Sequence, residues 1–175
     1  MSAVRPQDWP ADIHAALKAA HVKQVAYVPD AGHARLIKLC AGDNSMRMVP
    51  LTTEEEGVAL AAGAWLGGER SVLLMQSSGV GNCINMLSLI ATCRFPFLTI
   101  VTMRGEFGEF NPWQVPMGTA TPGALELAQV IVHRASEPAR VGDTVAGAAR
   151  LAFASYAAVA VLLSQQLIGA KSFGR

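Results

Sequence analysis

The chain has 175 residues, the size of one ordinary domain, which is long enough to bury a hydrophobic core. Hydrophobic residues make up 51% and charged residues only 15%, and the formal net charge is +1. This balance, with few aromatic residues and no basic run, argues against a nucleic-acid partner, and no apolar run is long enough to span a membrane. Because the charge is sparse, we predict that partner chains cover part of the surface.

The cysteine content and the first ten residues indicate in which cellular compartment the protein is expected. The three cysteines, Cys40, Cys83 and Cys93, are an odd number at unrelated spacings, typical of small buried hydrophobic residues rather than a disulfide or zinc framework. The opening MSAVRPQDWP lacks the apolar core of a signal peptide. We therefore expect a reducing, cytoplasmic environment. No metal ligands are expected in the chain, because no set of His, Cys, Asp and Glu has metal-ligand spacing.

Helical and strand-like patterns alternate along the chain. Apolar spacing predicts helices at residues 9–22, 33–40, 52–68, 80–92, 123–129 and 143–157, the third with a capping box at Thr53 and Glu56. Short apolar runs predict strands at 24–28, 46–51, 71–76, 95–103, 130–133 and 158–163. Strands that are apolar throughout are typical of a parallel sheet covered on both faces. We predict a three-layer α/β/α sandwich with a mainly parallel sheet, one domain at residues 1–168 and a loose tail at 169–175.

Polar residues concentrate where predicted strands end. Four segments leave the carboxyl ends of strands, at 29–33, 52–56, 77–82 and 104–114, and the last opens a stretch at 104–122 that we predict to be irregular. Ligands of open parallel sheets bind at these carboxyl ends, and long irregular segments are usually functional or interfacial. The sequence therefore predicts a site at this edge.

Each polar feature also has a purely structural explanation. Glu54, Glu55 and Glu56 open an otherwise almost uncharged helix, where the helix dipole alone would favour acidic residues, and periodicity does not choose among the three. The glycine-rich SSGVGN at 77–82, predicted as a loop before a helix, could receive an anion on its backbone amides. It lacks the Lys-Ser or Lys-Thr of a Walker loop and is not a dinucleotide fingerprint, so a nucleotide-binding domain is a weak alternative.

Two basic residues follow strands. His33 is suited to be an acid, a base or an anion ligand, or has a structural role. Arg104 either binds an anionic substrate or pairs with Glu106 or Glu109.

One long run carries a resemblance to a known family. TEEEGVALAAGAWLGGERSVLLMQSSGVGNCINMLSLIATCRFPFLTIVTMRGE, followed by Gln-Val-Pro-Met-Gly, resembles the pyrimidine-binding (PYR) domain of thiamine-diphosphate-dependent decarboxylases. Within that superfamily it is most similar to the α subunit of sulfopyruvate decarboxylase and to phosphonopyruvate decarboxylase. The resemblance covers nearly the whole chain, and its most specific parts are MQSSGVGN and MRGE.

The resemblance implies which glutamate is catalytic. The family's glutamate lies nine positions before a helix glycine, here Gly63, which selects Glu54. In such enzymes this glutamate hydrogen-bonds a pyrimidine nitrogen of thiamine diphosphate, and the cofactor holds the carbanion left by carbon dioxide. The expected activity is decarboxylation of 3-sulfopyruvate to sulfoacetaldehyde. The alternatives are phosphonopyruvate or another 2-oxo acid as substrate, or a non-catalytic binding or regulatory module of the same fold.

The resemblance also implies a second chain and further site residues. The family binds Mg²⁺ and the diphosphate through a Gly-Asp-Gly motif that this sequence lacks, so we expect a β subunit to supply that half in a hetero-oligomer. The implied cofactor-binding residues are Pro29, Glu54, Ser77, Ser78, Gly79 and Asn82. The implied residues for an anionic 2-oxo acid are Asp30, His33, Arg104 and Gln114. Cys83 and Met103 depart from the expected polar or aromatic types, which points to an altered substrate.

Overall fold

The strands of the chain lie side by side in one sheet. The computed structural model describes residues 7–169 and contains a six-stranded sheet in the order β2-β1-β3-β4-β6-β5, with every neighbouring pair parallel. The strands are β1 (Val22–Tyr27), β2 (Arg47–Pro50), β3 (Arg70–Gln76), β4 (Phe97–Thr102), β5 (Ile131–Ala135) and β6 (Ala158–Leu163). All six coincide with predicted strands to within a few residues.

Helices cover both faces of the sheet. They are α1 (Trp9–Ala19), α2 (Ala34–Ala41), α3 (Glu55–Leu66), α4 (Ser77–Cys83), α5 (Ser88–Cys93), α6 (Val115–Leu127), α7 (Val141–Ser155) and α8 (Gln165–Ile168), with short 3₁₀ turns at Ala31–His33, Pro112–Gln114 and Pro138–Arg140. In β3, Val72 and Leu74 pack in the core with α1, α2 and α7. Leu73 and Met75 pack in the opposite core with α3 to α6, because successive side chains of a strand point to opposite faces. The predicted α/β/α sandwich is confirmed.

The predicted glycine loop at residues 77–82 is wrong. SSGVGN forms helix α4, and the helix predicted at 80–92 is divided between α4 and α5. Glycine is unfavourable in an isolated helix, but a side chain at Gly79 would overlap Glu54, whose carboxyl carbon lies 2.4 Å from the position of an added Cβ. This tertiary contact outweighs the low helix propensity.

The irregular stretch is shorter than predicted. It ends at the 3₁₀ turn Pro112–Gln114, and α6 then runs across several glycine and proline residues. Pro in the first turn of α6 is compatible with a helix because amides there need no intrahelical partner. Gly118 of α6 packs directly on the backbone carbonyl of Arg104, where an added Cβ would lie only 1.9 Å away.

The capping box at Thr53 and Glu56 is also wrong. The residue before α3 is Glu54, and its side chain makes no capping bond. Glu56 accepts instead from the backbone amide of Thr52 at 2.9 Å, and the hydroxyl of Thr53 donates to Glu55 at 3.1 Å.

The strand order creates a crevice at the carboxyl edge. The chain runs from β1 outward to the edge strand β2 and then crosses back to β3 on the other side of β1. Ligands of open α/β sheets bind at such a switch point. No helix in residues 7–169 is both long and apolar enough to cross a membrane. The tail at 170–175 lies outside the described residues.

Candidate active site at the carboxyl edge of the sheet

Glu54 is the buried member of the three glutamates. It is 8% exposed, whereas Glu55 is half-buried and Glu56 is exposed. Its Oε2 accepts a 2.8 Å hydrogen bond from the side-chain amide of Asn82 on α4, and its carboxyl group lies against the bare backbone of Gly79. The structure therefore brings these three predicted site residues into contact.

The second oxygen of Glu54 is open. Within residues 7–169, Oε1 has no hydrogen-bond partner. The one fully buried side-chain nitrogen or oxygen in that range without a partner is Nδ1 of His33, so Oε1 keeps access to the surface. Glu54 thus presents one held oxygen and one free oxygen in a largely water-excluded position.

The wall behind Glu54 is neutral. Cys83 on α4 is fully buried, and its sulfur lies 4.0 Å from that of Met75. Burial, with a smaller contribution from the charges of Glu54 and Glu55, raises the pKa of the Cys83 thiol to about 12. The thiol therefore stays protonated and packs as a small apolar group.

Asp30 forms a second polar cluster over the ends of β1, β3 and β4. Its carboxylate accepts from Thr102 Oγ1 at 2.7 Å, Gln76 Nε2 at 2.9 Å and the amide of Gly32 at 3.0 Å, and Ser78 Oγ donates to Gln76 at 2.8 Å. Burial opposes its ionisation, but the hydrogen bonds, those from Thr102 and Gln76 first, hold the pKa of Asp30 below its usual value. Asp30 is therefore a stable carboxylate beside the switch point.

His33 lies beneath this cluster and has no exposed surface. Its Nε2 is 3.2 Å from the carbonyl oxygen of Met75 and 3.1 Å from that of Ile100, so this nitrogen carries the proton and donates to the two strands. Burial lowers the pKa of His33, opposed by the Asp30 charge and the two carbonyl groups. In this conformation His33 is a neutral support of the sheet edge and cannot touch a substrate directly.

Arg104 pairs with Glu109, one of the two alternatives that the sequence left open. Its Nε and Nη2 bind the two carboxylate oxygens of Glu109, with a 2.8 Å bond from Nε. Glu109 also accepts from the backbone amides of Gly105 and Asn111 and from Gln165 Nε2. These bonds hold the pKa of Glu109 well below its usual range, and the bond from Arg104 contributes most. The Glu109 carboxylate in turn raises the pKa of Arg104.

A cavity of about 180 Å³ connects the Asp30 and Arg104 clusters. It is lined by Asp30, Ala31, Gly32, Thr102, Arg104, Gln165, Ile168 and Gly169. Its polar lining is mixed in charge, because the carboxylate of Asp30 and the guanidinium of Arg104 both border it. A small polar molecule that carries an anionic group for Arg104 and a hydrogen-bond donor for Asp30 would suit this lining.

The remaining predicted residues lie around these clusters. Ser77 is buried and its hydroxyl accepts from the backbone amide of Arg104 at 3.1 Å, whereas Pro29 is exposed. Gln114 is half-buried and its backbone packs on Gly105, whose φ of +76° needs glycine. Met103 is fully buried in the core.

Sequence reasoning missed three residues of this site. They are Gln76, Thr102 and Gln165. Gln76 and Thr102 are the last residues of β3 and β4, so a polar residue at the end of an apolar strand was a usable signal. Gln165 follows β6 at the same sheet edge, and the sequence offered no sign that it reaches Glu109.

Comparison with solved structures identifies the class of fold. The chain matches a 2-oxoglutarate:ferredoxin oxidoreductase from Magnetococcus marinus, solved with 2-oxoglutarate, coenzyme A and succinyl-CoA bound, with a TM-score of 0.72 and 14% identity. The match covers 91% of this chain and 29% of that one. The fold is therefore an α/β/α sandwich of the thiamine-diphosphate type.

Comparison with curated sequences identifies the family. The chain is 35% identical over 152 residues to the sulfopyruvate decarboxylase subunit alpha of Methanothermobacter thermautotrophicus, covering 86% of this chain and 92% of that protein. It is 36% identical over 127 residues to the subunit alpha of Methanocaldococcus jannaschii, covering 72% and 75%. The chain belongs to the family of sulfopyruvate decarboxylase α subunits, as the resemblance predicted.

A longer relative is named as a different decarboxylase. The phosphonopyruvate decarboxylase of Streptomyces viridochromogenes is 39% identical over 122 residues, which are 69% of this chain and 31% of that protein. No family model matches the chain.

Proposed function

We propose that this chain is the α subunit of a thiamine-diphosphate-dependent decarboxylase that converts 3-sulfopyruvate to sulfoacetaldehyde and carbon dioxide. The observation that carries the proposal is Glu54, a nearly buried carboxyl group with Oε2 held by Asn82 and Oε1 free. The names of the archaeal relatives support the substrate, and the fold supports the cofactor.

The surroundings of Glu54 fit the pyrimidine ring of thiamine diphosphate. A carboxyl group can hold a proton toward a ring nitrogen only where water does not compete, and Glu54 is 8% exposed beside apolar Cys83. The absence of a side chain at Gly79 lets α4 approach the carboxyl group closely. When bound, thiamine diphosphate supplies the electron sink that stabilises the carbanion formed by loss of carbon dioxide. Pro29, Ser77 and Ser78 would complete the cofactor side.

We place the diphosphate and Mg²⁺ ligands on a β subunit. Residues 7–169 contain no group of three or more His, Cys, Asp or Glu side chains that could hold a metal ion. The relatives are named as α subunits, which implies a multi-subunit enzyme. On this proposal residues 1–168 act as one pyrimidine-binding domain in a cytoplasmic hetero-oligomer, with the cofactor between the two chains.

The substrate would bind in the cavity beside Arg104. Glu109 occupies Nε and Nη2 of the guanidinium, which leaves Nη1 as the donor for a sulfonate. Gln114 is a further donor near this end of the sheet, whereas the Thr102 hydroxyl already donates to Asp30, and His33 would act on the substrate only through Asp30. The phosphonopyruvate decarboxylase relative favours phosphonopyruvate as the alternative substrate, because both compounds are small 2-oxo acids with a second anionic group.

The test is turnover by this chain co-expressed with its β subunit. Aldehyde formation from 3-sulfopyruvate, phosphonopyruvate and pyruvate is compared in the presence of thiamine diphosphate and Mg²⁺. Glu54→Gln should reduce kcat by about 100-fold or more, since general acid–base groups contribute about 10²–10⁴-fold. Glu56→Gln removes the same charge from an exposed position two residues away and should leave turnover nearly unchanged.

The outcomes separate the candidates. Turnover of 3-sulfopyruvate that Glu54→Gln abolishes supports the proposal. Preference for phosphonopyruvate keeps the mechanism and changes the substrate. A cofactor-loaded complex that acts on none of the three compounds contradicts the proposal and favours a non-catalytic module.

A further inference from the structure

We infer that Asn82 is a positioning residue for Glu54: its amide holds Oε2 and so leaves Oε1 as the oxygen that carries the proton toward the cofactor. This inference rests on the proposed function. The 2.8 Å bond from Asn82 Nδ2 is the one hydrogen bond made by the Glu54 side chain among the residues that the structure describes. Asn82 itself is exposed, so its contact with the buried carboxyl group is not a by-product of core packing.

The chemistry of the amide decides where the proton lies. An amide N–H can only donate, so the oxygen that it touches must accept. When Glu54 holds a proton, that proton therefore sits on Oε1, which is the oxygen without a protein partner. If Oε2 were free to exchange places with Oε1, the unprotonated carbonyl oxygen would face the cofactor instead. Asn82 thus fixes the orientation of the Glu54 carboxyl group, which would otherwise have to be selected in each turnover.

The geometry of α4 makes this contact possible. Gly79 and Asn82 are three residues apart and so lie on the same face of the helix. Because Gly79 has no side chain, the carboxyl group of Glu54 fits against the first position and reaches the amide at the second. A larger residue at 79 would separate the pair.

Few other titratable groups face this pair. Glu55 and Glu56 follow on α3, and Cys83 follows on α4. The Cys83 thiol, with a pKa of about 12, stays neutral near neutral pH. The thiol therefore keeps its proton over the pH range of the experiment below.

The experiment is a double-mutant cycle in the complex with the β subunit. Asn82→Asp keeps the shape of the side chain and removes the donor, and it is made in both the wild-type and the Glu54→Gln backgrounds. Three quantities are measured: kcat and KM for the 2-oxo acid, and the Kd of thiamine diphosphate by calorimetry. Asn85→Asp, an exposed position three residues further on, is the matched control for the added charge.

Asn82→Asp should lower kcat by about 10- to 100-fold, the usual effect of losing a hydrogen bond to a charged group, with KM changed by no more than a few-fold. It should also weaken cofactor binding by a few-fold. Both effects should vanish in the Glu54→Gln background. As the pH is lowered from about 8 to about 5.5, turnover relative to wild type should recover, because a protonated carboxyl group can donate to Oε2 again.

Additive losses in the two backgrounds would overturn the inference, because Asn82 would then bind the cofactor independently of Glu54. An unchanged kcat and Kd in Asn82→Asp would overturn it as well. If the wild-type complex acts on no 2-oxo acid, the proposed function fails, and the calorimetric cycle alone judges Asn82. A loss of affinity for thiamine diphosphate that occurs only in the background that retains Glu54 supports the positioning role, and any other pattern refutes it.

Discussion

Glu109 is the centre of the polar cluster that shapes the segment after β4, and replacing it by Gln tests that cluster. The carboxylate accepts five hydrogen bonds, two from Arg104, two from backbone amides and one from Gln165. Its side chain is 4% exposed and that of Arg104 is 10% exposed. Glu109→Gln keeps the size of the side chain but turns one acceptor oxygen into a donor that faces other donors.

The expected loss in the free energy of unfolding follows from the burial of the pair. Breaking a buried ion pair by removing one partner costs about 3–5 kcal/mol, because the remaining charge is left uncompensated. At about 2–4 °C per kcal/mol for a domain of this size, the melting temperature should fall by roughly 6–20 °C. Urea unfolding followed by circular dichroism measures the loss directly, with an unchanged m-value as the sign of two-state behaviour.

The chain contains a matched control. Arg35 and Asp8 form the same two-bond arrangement on the surface, with side chains 57% and 39% exposed. Asp8→Asn should cost much less stability than Glu109→Gln, because solvent screens exposed pairs. Equal losses at the two sites, or a loss below 1 kcal/mol for Glu109→Gln, would refute the reasoning from burial.

The pH dependence gives a second check. The Arg104 guanidinium and the other donors hold the pKa of Glu109 below its ordinary 4.5 in the folded protein. A depressed carboxyl pKa stabilises the fold above the unfolded-state value, and this stabilisation is lost as the pH falls below it. The difference between wild type and Glu109→Gln should therefore be full near neutral pH and shrink below about pH 4.5.

Two further substitutions test the buried contacts beneath the site, one at Gly79 and one at His33. Gly79→Ala should displace the Glu54 carboxyl group and lower both cofactor affinity and kcat by at least about tenfold. The control is Gly63→Ala on α3, where an added Cβ meets nothing within 4 Å, and this change should stabilise the chain by up to about 1 kcal/mol. Equal effects of the two substitutions on kcat would contradict the close-contact argument. His33→Phe should cost about 1–3 kcal/mol near pH 7.5, since two strand carbonyl groups lose their donor. Because burial depresses the pKa of His33, the wild type loses stability as the pH falls below the unfolded value of 6.5 and the variant does not, so urea titrations should show the difference narrowing by about pH 5.5.

The local contacts explain which predictions from sequence were correct. The central strands β3, β4 and β6 were predicted because their apolar runs report burial on both faces, and that property belongs to the strand itself. The loop at 77–82 and the long irregular stretch were wrong for the opposite reason. In α4 and α6, glycine and proline lower helix propensity, and packing of Gly79 on Glu54 and of Gly118 on Arg104 overrides that local preference.

The sequence by itself determined the α/β alternation, the parallel sheet and the edge at which the site lies, because periodicity and strand ends are local properties of the chain. Only the tertiary structure decided which glutamate is buried and where its oxygens point. Helical periodicity cannot distinguish three consecutive glutamates, whereas a hydrogen bond between residues 28 positions apart can. The same holds for Arg104, whose carboxylate partner is fixed by Gln165 from the far end of the chain. Contacts between distant residues carry the site's chemistry, and they exist only after the sheet has brought its strand ends together.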